Sequence, residues 1–302
     1  MRPLRFQAAT YLAPAIWGTT YLTVTQLLPA GRPLLAAALR ALPAGLLLVA
    51  ISRRLPDGIW WWRALVLGAL NIGAFFALLF IAAYRLPGGV AATIIAAQPL
   101  LVAGLSAWLL SERASARLVL VAVAGVTGVG LLVLPAGTRL DAVGVAAAVG
   151  AAAVFATGIV LSKRWPSPAP LLATTGWQLV AGGLLVLPFA LVLEGLPASL
   201  SVANLAGYAY LTIFGAAVTY VLWFRGIRAL PPTRVAFLAL LSPVVATALD
   251  WIVRGQRLAP LQVVGGLIVF GSVVASQLHR VSQPTVPQPT RGAFAPTPQE
   301  AA

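Results

Sequence analysis

Four stretches of this chain set polar and aromatic side chains at helical spacing within apolar surroundings. They are Trp17, Thr20 and Tyr21; Asn71 and Phe75; Phe155, Gly158 and Ser162; and Thr212, Ala216, Thr219 and Trp223 with Tyr220 adjacent. Steps of three and four residues put each set on one helix face. Aromatic walls with sparse hydrogen-bond donors suit reversible binding of a neutral, zwitterionic or partly apolar solute. Covalent chemistry lacks its parts. There is no cysteine, which removes thiolate nucleophiles and thiolate metal sites, and the one histidine, His279, ends the last apolar run. Gly104-Leu105-Ser106-Ala107 has the outline of a membrane serine-protease motif, but its histidine partner is missing. No pair of acids has the spacing of a metal-dependent prenyl- or phosphotransferase, so no metal and no cofactor are expected.

Three further residues stand out because the apolar runs around them make them costly. Pro99 and Pro243 each remove a backbone N–H, which takes the helical partner from the carbonyls of Ile95 and Ala239, at about 3 kcal/mol per interior proline. In lipid such a carbonyl survives where it meets a cavity or a polar neighbour, so both breaks, with Gln98 and Ser242 beside them, are expected at a cavity. A packing kink satisfied by an adjacent helix is the plainer alternative. Arg40 is the one basic residue deep in a run, where a charge costs at least ~2.5 kcal/mol. It is read as a structural arginine satisfying carbonyls, with an anion contact as the rival role.

The surroundings of these residues define the class. With 60% hydrophobic and 9% charged residues, against roughly a quarter charged in soluble domains, this is an all-α membrane protein. Its net charge of +14 is dispersed between apolar runs without interleaved aromatics, so nucleic acid is not an expected partner. Uncharged runs near or above the ~18 residues of a spanning helix occur at 6–31, 64–84, 86–111, 118–138, 142–162, 165–193, 195–224 and 258–278. Runs 33–52 and 235–253, each interrupted by one charge, bring the total to ten transmembrane helices. Arg2 and Arg5 precede a run too long for a signal peptide, so it reads as an uncleaved first helix. With the N-terminus inside, fourteen Lys and Arg fall on the inner side and five on the outer, which predicts both termini cytoplasmic. Trp60, Trp61 and Trp62 beside Arg63 read as an interfacial anchor, and Asp250 with Arg254 as a solvated helical pair.

Residues 86–113 return in altered form at 230–257. Both Pro87/Pro231 and Pro99/Pro243 are related by one offset, 231 − 87 = 243 − 99 = 144, and six of the 28 aligned positions are identical. Five helices per copy is an odd number, so the second copy enters from the opposite side. The chain is therefore read as two inverted five-helix repeats, residues 1–138 and 139–279, followed by a Pro-, Gln- and Thr-rich disordered cytoplasmic tail, 280–302.

The order of short motifs resembles the drug/metabolite transporter superfamily, EamA type. The carriers of the likeness are Trp17-Gly18, Arg40, Pro99 followed by Ser111-Glu112-Arg113, Trp223-Phe224-Arg225-Gly226-Ile227, Pro243 and the Gly-rich last helix, over roughly residues 8–279. The resemblance implies a ten-helix carrier whose central cavity is lined by the first, third, fourth, sixth, eighth and ninth helices. It also implies transport of amino acids, metabolites, nucleotide precursors or drugs, often outward. One departure is Gly255-Gln256-Arg257-Leu258, where the family commonly repeats Gly-Glu-Arg-Leu.

The expectation is therefore a secondary transporter, an exporter or a facilitator/exchanger, and not an enzyme. It would sit in the bacterial inner membrane as a monomer or weak homodimer, with a small solute and the lipid bilayer as its partners. Glu112, Asp141, Glu194 and Asp250 all lie at helix ends, so movement down a gradient is expected rather than proton coupling. An intramembrane enzyme and a solute channel are the competing readings. A channel would want a ring of repeated polar residues.

Overall fold

The computed structural model describes residues 2–86, 88–112, 115–133, 141–255 and 259–278. Among them the chain is helical with no strand and forms ten segments, named here in chain order. The first is Arg2–Leu27, the second Pro33–Ser52, and the third runs from Trp60–Gly68 through a π-helical turn, Ala69–Gly73, into Ala74–Arg85. The fourth is split into Gly88–Ile95 and Gln98–Leu110, the fifth is Ala116–Val133 and the sixth Ala142–Arg164. The seventh is Leu171–Leu193. The eighth passes from Val202–Thr212 through a second π turn, Ile213–Val218, into Thr219–Ala229. The ninth is split into Pro232–Leu238 and Leu241–Arg254, and the tenth is Pro260–Leu278. Eight of the ten contain stretches long and apolar enough to cross a bilayer, and large apolar side chains such as Trp108, Phe189, Val192 and Leu278 are exposed on the outer surface.

Where helix bounds depart from the apolar runs, the cause is local. Pro166, Pro168 and Pro170 delay the seventh helix to Leu171, since each removes a donor and restrains the residue before it. After Gly195, at φ +65, the eighth helix begins only where Ser201 and Asn204 close a reciprocal capping box. The third helix starts early enough to include the tryptophan triplet. Trp61 and Trp62 are exposed, but Trp60 turns inward against Trp177, so only two of the three tryptophans fit the interfacial reading. The Asp250 and Arg254 side chains, the tip 256–258, His279 and the tail 280–302 lie outside the described residues.

Small residues bring helices into backbone contact. The second helix packs along the seventh, where a Cβ added at Gly45 would lie 2.6 Å from the Val180 nitrogen. The fifth packs along the tenth, where a Cβ at Gly265 would lie 2.6 Å from the Gly128 oxygen. The first helix packs on the eighth and ninth, the sixth on the third and fourth, and the fourth touches the ninth. Each of these pairings maps onto another, or onto itself, when helix numbers are exchanged by five.

Local features recur in the same way. The π turns begin at Ala69 and Ile213, 144 residues apart (213 − 69). The helices after them end at Arg85 and Ala229, again 144 apart, and both are followed by an extended leucine, Leu86 or Leu230. The interruptions preceding Pro99 and Pro243 fall at Ala96-Ala97 and Ala239-Leu240.

The two ends of the bundle are held by different polar clips. At one, Lys163 Nζ donates to the carbonyls of Arg228 (3.0 Å) and Leu230 (3.2 Å), Arg164 donates to Leu109 O (3.2 Å), and Trp177 Nε1 to Arg54 O (2.8 Å). Cations on helix C-termini complement the exposed carbonyls and the helix dipole. At the other, the Glu194 carboxylate accepts the amides of Leu34 and Leu35, both at 2.8 Å, and so caps the second helix. Arg85 pairs with Asp141 at 3.7 Å, and Asp141 caps the sixth helix through Gly144 N (2.7 Å). The start of the first helix, where Thr10 abuts Gly226, and the end of the tenth, where Gln277 donates to Arg234 O (3.2 Å), share the Lys163 end.

Candidate functional site

In the middle of the bundle, rings from the first, third, sixth and eighth helices touch in sequence. Phe76 meets Phe75 (5.5 Å between centroids), Phe75 stacks on Phe155 (4.5 Å), Phe155 stacks on Trp223 (6.1 Å), and Trp223 meets Trp17 at a tilt (5.0 Å). Tyr220 packs on Trp17 (5.5 Å) and on Phe224 (5.9 Å). Five residues singled out from the sequence, Trp17, Phe75, Phe155, Tyr220 and Trp223, thus lie in one aromatic cluster. A sixth, Thr219, joins it by accepting the Trp17 indole N–H at 3.1 Å. Tilted and offset rings of this kind are favourable beyond the area they bury.

The cluster rests on the π turn of the eighth helix. Across that turn the Thr219 amide goes to Ala216, while the Gly215 carbonyl takes the Thr219 hydroxyl (2.7 Å) and the Arg40 guanidinium (3.1 Å). Arg40 also lies over the Phe76 ring, 4.8 Å from its centroid. The charge predicted to seek carbonyls in mid-membrane therefore meets one, together with an aromatic face.

The same turn alters the face expected from a uniform helical period. Thr212, placed with Thr219 and Trp223 by steps of three and four, instead donates to Leu39 O of the second helix (3.1 Å). A π turn inserts one residue per turn, which rotates everything before it relative to everything after.

Asn71, inside the π turn of the third helix, is fully buried. Its Nδ2 donates to Gln178 Oε1 (3.0 Å) and Ser162 Oγ (3.2 Å), and its side chain presses on Gly158, where any Cβ would collide with it. The chain of polar contacts continues from Gln178 to Thr174 O (3.3 Å), and Arg228 donates to Thr174 Oγ1 (2.9 Å). Asn71 thus belongs to a polar thread leading to the Lys163 end, one turn away from Phe75.

Pro99 and Pro243 break their helices as expected, but the carbonyl of Ala239 is not left open. It accepts the Ser242 amide at 3.1 Å, because the chain tightens to i→i+3 bonds through Ala236–Ala239 and Phe237–Leu240. In the fourth helix, Ala97 N bonds Ile94 O and Leu100 N bonds Ala97 O. Ser242 is half-buried, and its carbonyl abuts Gly18, whose lack of a side chain lets the ninth helix approach the first. Residues from the sequence reading with buried polar atoms that lack a partner among the described residues include Thr20 (Oγ1), Asn71 (Oδ1), Gln98 (Nε2), Ser106 (Oγ) and Trp223 (Nε1). The Tyr21 side chain lies outside the described residues.

The seventh helix contributes what the sequence reading missed. A pocket at the Lys163 end is lined by Gln178 and Thr174 of that helix with Ser162, Trp165, Phe224 and Arg228. The available signal was Thr174 and Gln178, spaced by four in a mostly apolar run.

The model of the EamA-like transporter family matches residues 7–134 and 142–276. Protein PecM of Dickeya dadantii is 44% identical over 276 residues, covering 91% of this chain and 93% of its own. A WAT1-related chloroplastic protein of Arabidopsis thaliana is 32% identical over 280 residues, 85% of this chain and 66% of its own. The uncharacterized inner membrane transporter YedA of Escherichia coli K12 is 26% identical, covering 86% of this chain and 87% of its own. A solved crystal structure superposes with a TM-score of 0.77 at 20% identity, covering 91% of this chain and 98% of that one, and so shares the fold. These helices and matches together place the chain in the EamA-like transporter family, as a multi-pass membrane transporter and not an enzyme.

Proposed function

We propose that this protein is a secondary carrier that moves a small, partly aromatic or apolar solute across the bacterial inner membrane by alternating access. The observation that carries the reading is the aromatic cluster of Trp17, Phe75, Phe155, Tyr220 and Trp223, with the buried donors Trp223 Nε1, Gln98 Nε2 and Thr20 Oγ1, which have no partner among the described residues. A buried donor without a partner is costly, and a solute acceptor would relieve that cost. In this reading residues 1–138 and 139–279 are inverted repeats that rock about the cluster, and the π turns and proline breaks are where each half bends. The 144-residue recurrence of those features supports it. The Lys163 end, which gathers the start of the first helix, the end of the tenth and most of the basic clips, faces the cytoplasm in accordance with the positive-inside rule, and the tail 280–302 is assigned to that side by the same reading. The Asp141 and Glu194 carboxylates cap helix ends, which supports a facilitator or exchanger that moves its solute down a gradient without a proton step.

The test is counterflow in proteoliposomes with a panel of amino acids, nucleosides and aromatic cations. Saturable exchange without an imposed pH gradient is expected. Flux that needs the gradient would overturn the uncoupled mechanism, and non-saturable flux would indicate a channel.

A further inference from the structure

The central helices form two groups that meet along a seam. The first helix packs along the eighth and ninth, and the sixth along the third and fourth. Exchanging helix numbers by five turns one group into the other, so the seam has equivalent halves at the two ends of the bundle. Only one half is closed. At the Lys163 end Pro232–Leu238 packs on Gln98–Leu110, and the sixth helix touches both the end of the eighth and the start of the ninth. At the Asp141 end the equivalent pieces, Gly88–Ile95 against Leu241–Arg254 and against the first helix, make no comparable contact among the described residues.

Burial divides the same way. Ala236, Phe237 and Leu238 are fully buried, whereas Ala92, Thr93 and Ile94, each 144 positions earlier, are half-buried. In the other two pieces Val102 and Ala103 are buried, and their equivalents Ala246 and Thr247 are half-buried. The pocket left at the Lys163 end holds about 20 Å³, room for about one water. One side chain crosses the closed half of the seam. Lys163, in the last turn of the sixth helix, donates through Nζ to the carbonyls of Arg228 (3.0 Å) and Leu230 (3.2 Å), where the eighth helix ends and leads into the ninth. The neighbouring Arg164 stays within its own group, on Leu109 O of the fourth helix (3.2 Å). Among the described residues no side chain donates to the carbonyl of Leu86, the equivalent of Leu230 at the Asp141 end.

We propose that this conformation is the carrier open at its Asp141 end, and that Lys163 is the latch that keeps the opposite end shut. Release of its two bonds lets Pro232–Leu238 leave the fourth helix. Exchange of conformation between the repeats then closes Gly88–Ile95 onto the ninth helix. Lysine suits such a reversible contact, since its three donors and strongly hydrated head trade carbonyls for water when the end opens. The inference rests on the inverted-repeat carrier reading, which supplies the second conformation.

The chain has no cysteine, so single cysteines report on each half of the seam without background. Ala92→Cys and Ala236→Cys make the same change at equivalent positions. In nanodiscs, where both faces meet water, each is reacted with the charged, lipid-insoluble reagent trimethylammonioethyl methanethiosulfonate. Ala92→Cys should react about ten-fold faster than Ala236→Cys. Adding Lys163→Met should speed Ala236→Cys and slow Ala92→Cys, shifting the ratio about ten-fold. Lys163→Arg, which keeps the donors, and Arg164→Met, which breaks only the bond inside one group, should leave the ratio within about two-fold. If Ala236→Cys or Lys163→Met fails to fold by gel filtration, Val102→Cys against Ala246→Cys, or Lys163→Gln, takes its place. Equal reaction at the two positions in the parent background would overturn the open conformation. A ratio indifferent to Lys163, or both rates rising together as in a loosened fold, would overturn the latch. Saturable counterflow with such a result would leave the carrier reading standing, whereas reciprocal labelling with non-saturable flux would sink that reading and support the latch.

Discussion

Arg40 Nη2 donates to the Gly215 carbonyl at 3.1 Å, so a charge in the second helix is tied to the π turn of the eighth. Replacing that charge by an apolar chain of similar length, Arg40→Met, removes the bond but leaves the Thr219 hydroxyl on the same carbonyl. Hydrogen bonds between membrane helices average about 0.6 kcal/mol and reach about 1.7. Arg40→Met should therefore lower stability by roughly 1 kcal/mol while allowing insertion. Reversible unfolding in mixed micelles measures this; unchanged stability would mean the bond to Gly215 contributes nothing.

Trp223 presents the opposite case, a fully buried indole whose N–H has no partner among the described residues. Trp223→Phe keeps an aromatic ring for Phe155 and Trp17 and deletes the orphaned donor, so it should cost little stability beyond the smaller ring. Solute affinity should fall about ten-fold, the equivalent of ~1.4 kcal/mol for one lost hydrogen bond. Counterflow KM compared with the thermal midpoint separates the two effects. An unchanged KM would remove Trp223 from the binding surface.

At Gly265 the space for a side chain is already filled by the Gly128 carbonyl and the Leu132 amide. Gly265→Val forces the fifth and tenth helices apart, and overpacking of this kind costs typically ~1–3 kcal/mol. Reduced yield and earlier thermal aggregation are expected, whereas Gly271→Ala, a glycine with open space around it, should behave as the parent does.

Glu194 closes the seventh helix while its carboxylate accepts two amides of the second. Glu194→Ala removes a charged cap, which costs about 1–2 kcal/mol. Faster amide hydrogen exchange at Leu34 and Leu35 should accompany the loss. Protection unchanged at those two amides would contradict the capping geometry.

How much of this was legible beforehand depended on the kind of information each feature uses. Ten helices follow from apolar runs, since backbone polar groups in lipid must be paired within the segment and a long apolar run has no other stable form. The breaks near Gln98 and Ser242 follow from Pro99 and Pro243, which cannot donate. Convergence of Trp17, Phe75, Phe155 and Trp223 was anticipated through a family resemblance rather than from spacing. The π turns at Ala69–Gly73 and Ile213–Val218 carry no residue signature. The inserted residue is visible only once neighbouring helices set the hydrogen bonds, and so Thr212 was assigned to the wrong face.

The polar thread from Asn71 through Gln178 to Thr174 and Arg228 joins residues more than a hundred positions apart. Nothing in a local window distinguishes Gln178 from a polar residue facing any other neighbour, and Trp60 looks identical to Trp61 and Trp62 until Trp177 packs against it. Hydrophobicity and proline stereochemistry act along the chain, so the sequence by itself determined the number of helices, their class and where two of them break. Side-chain pairing acts across it, and only the tertiary structure decided which polar groups meet, where the helices shift register and which end holds a pocket.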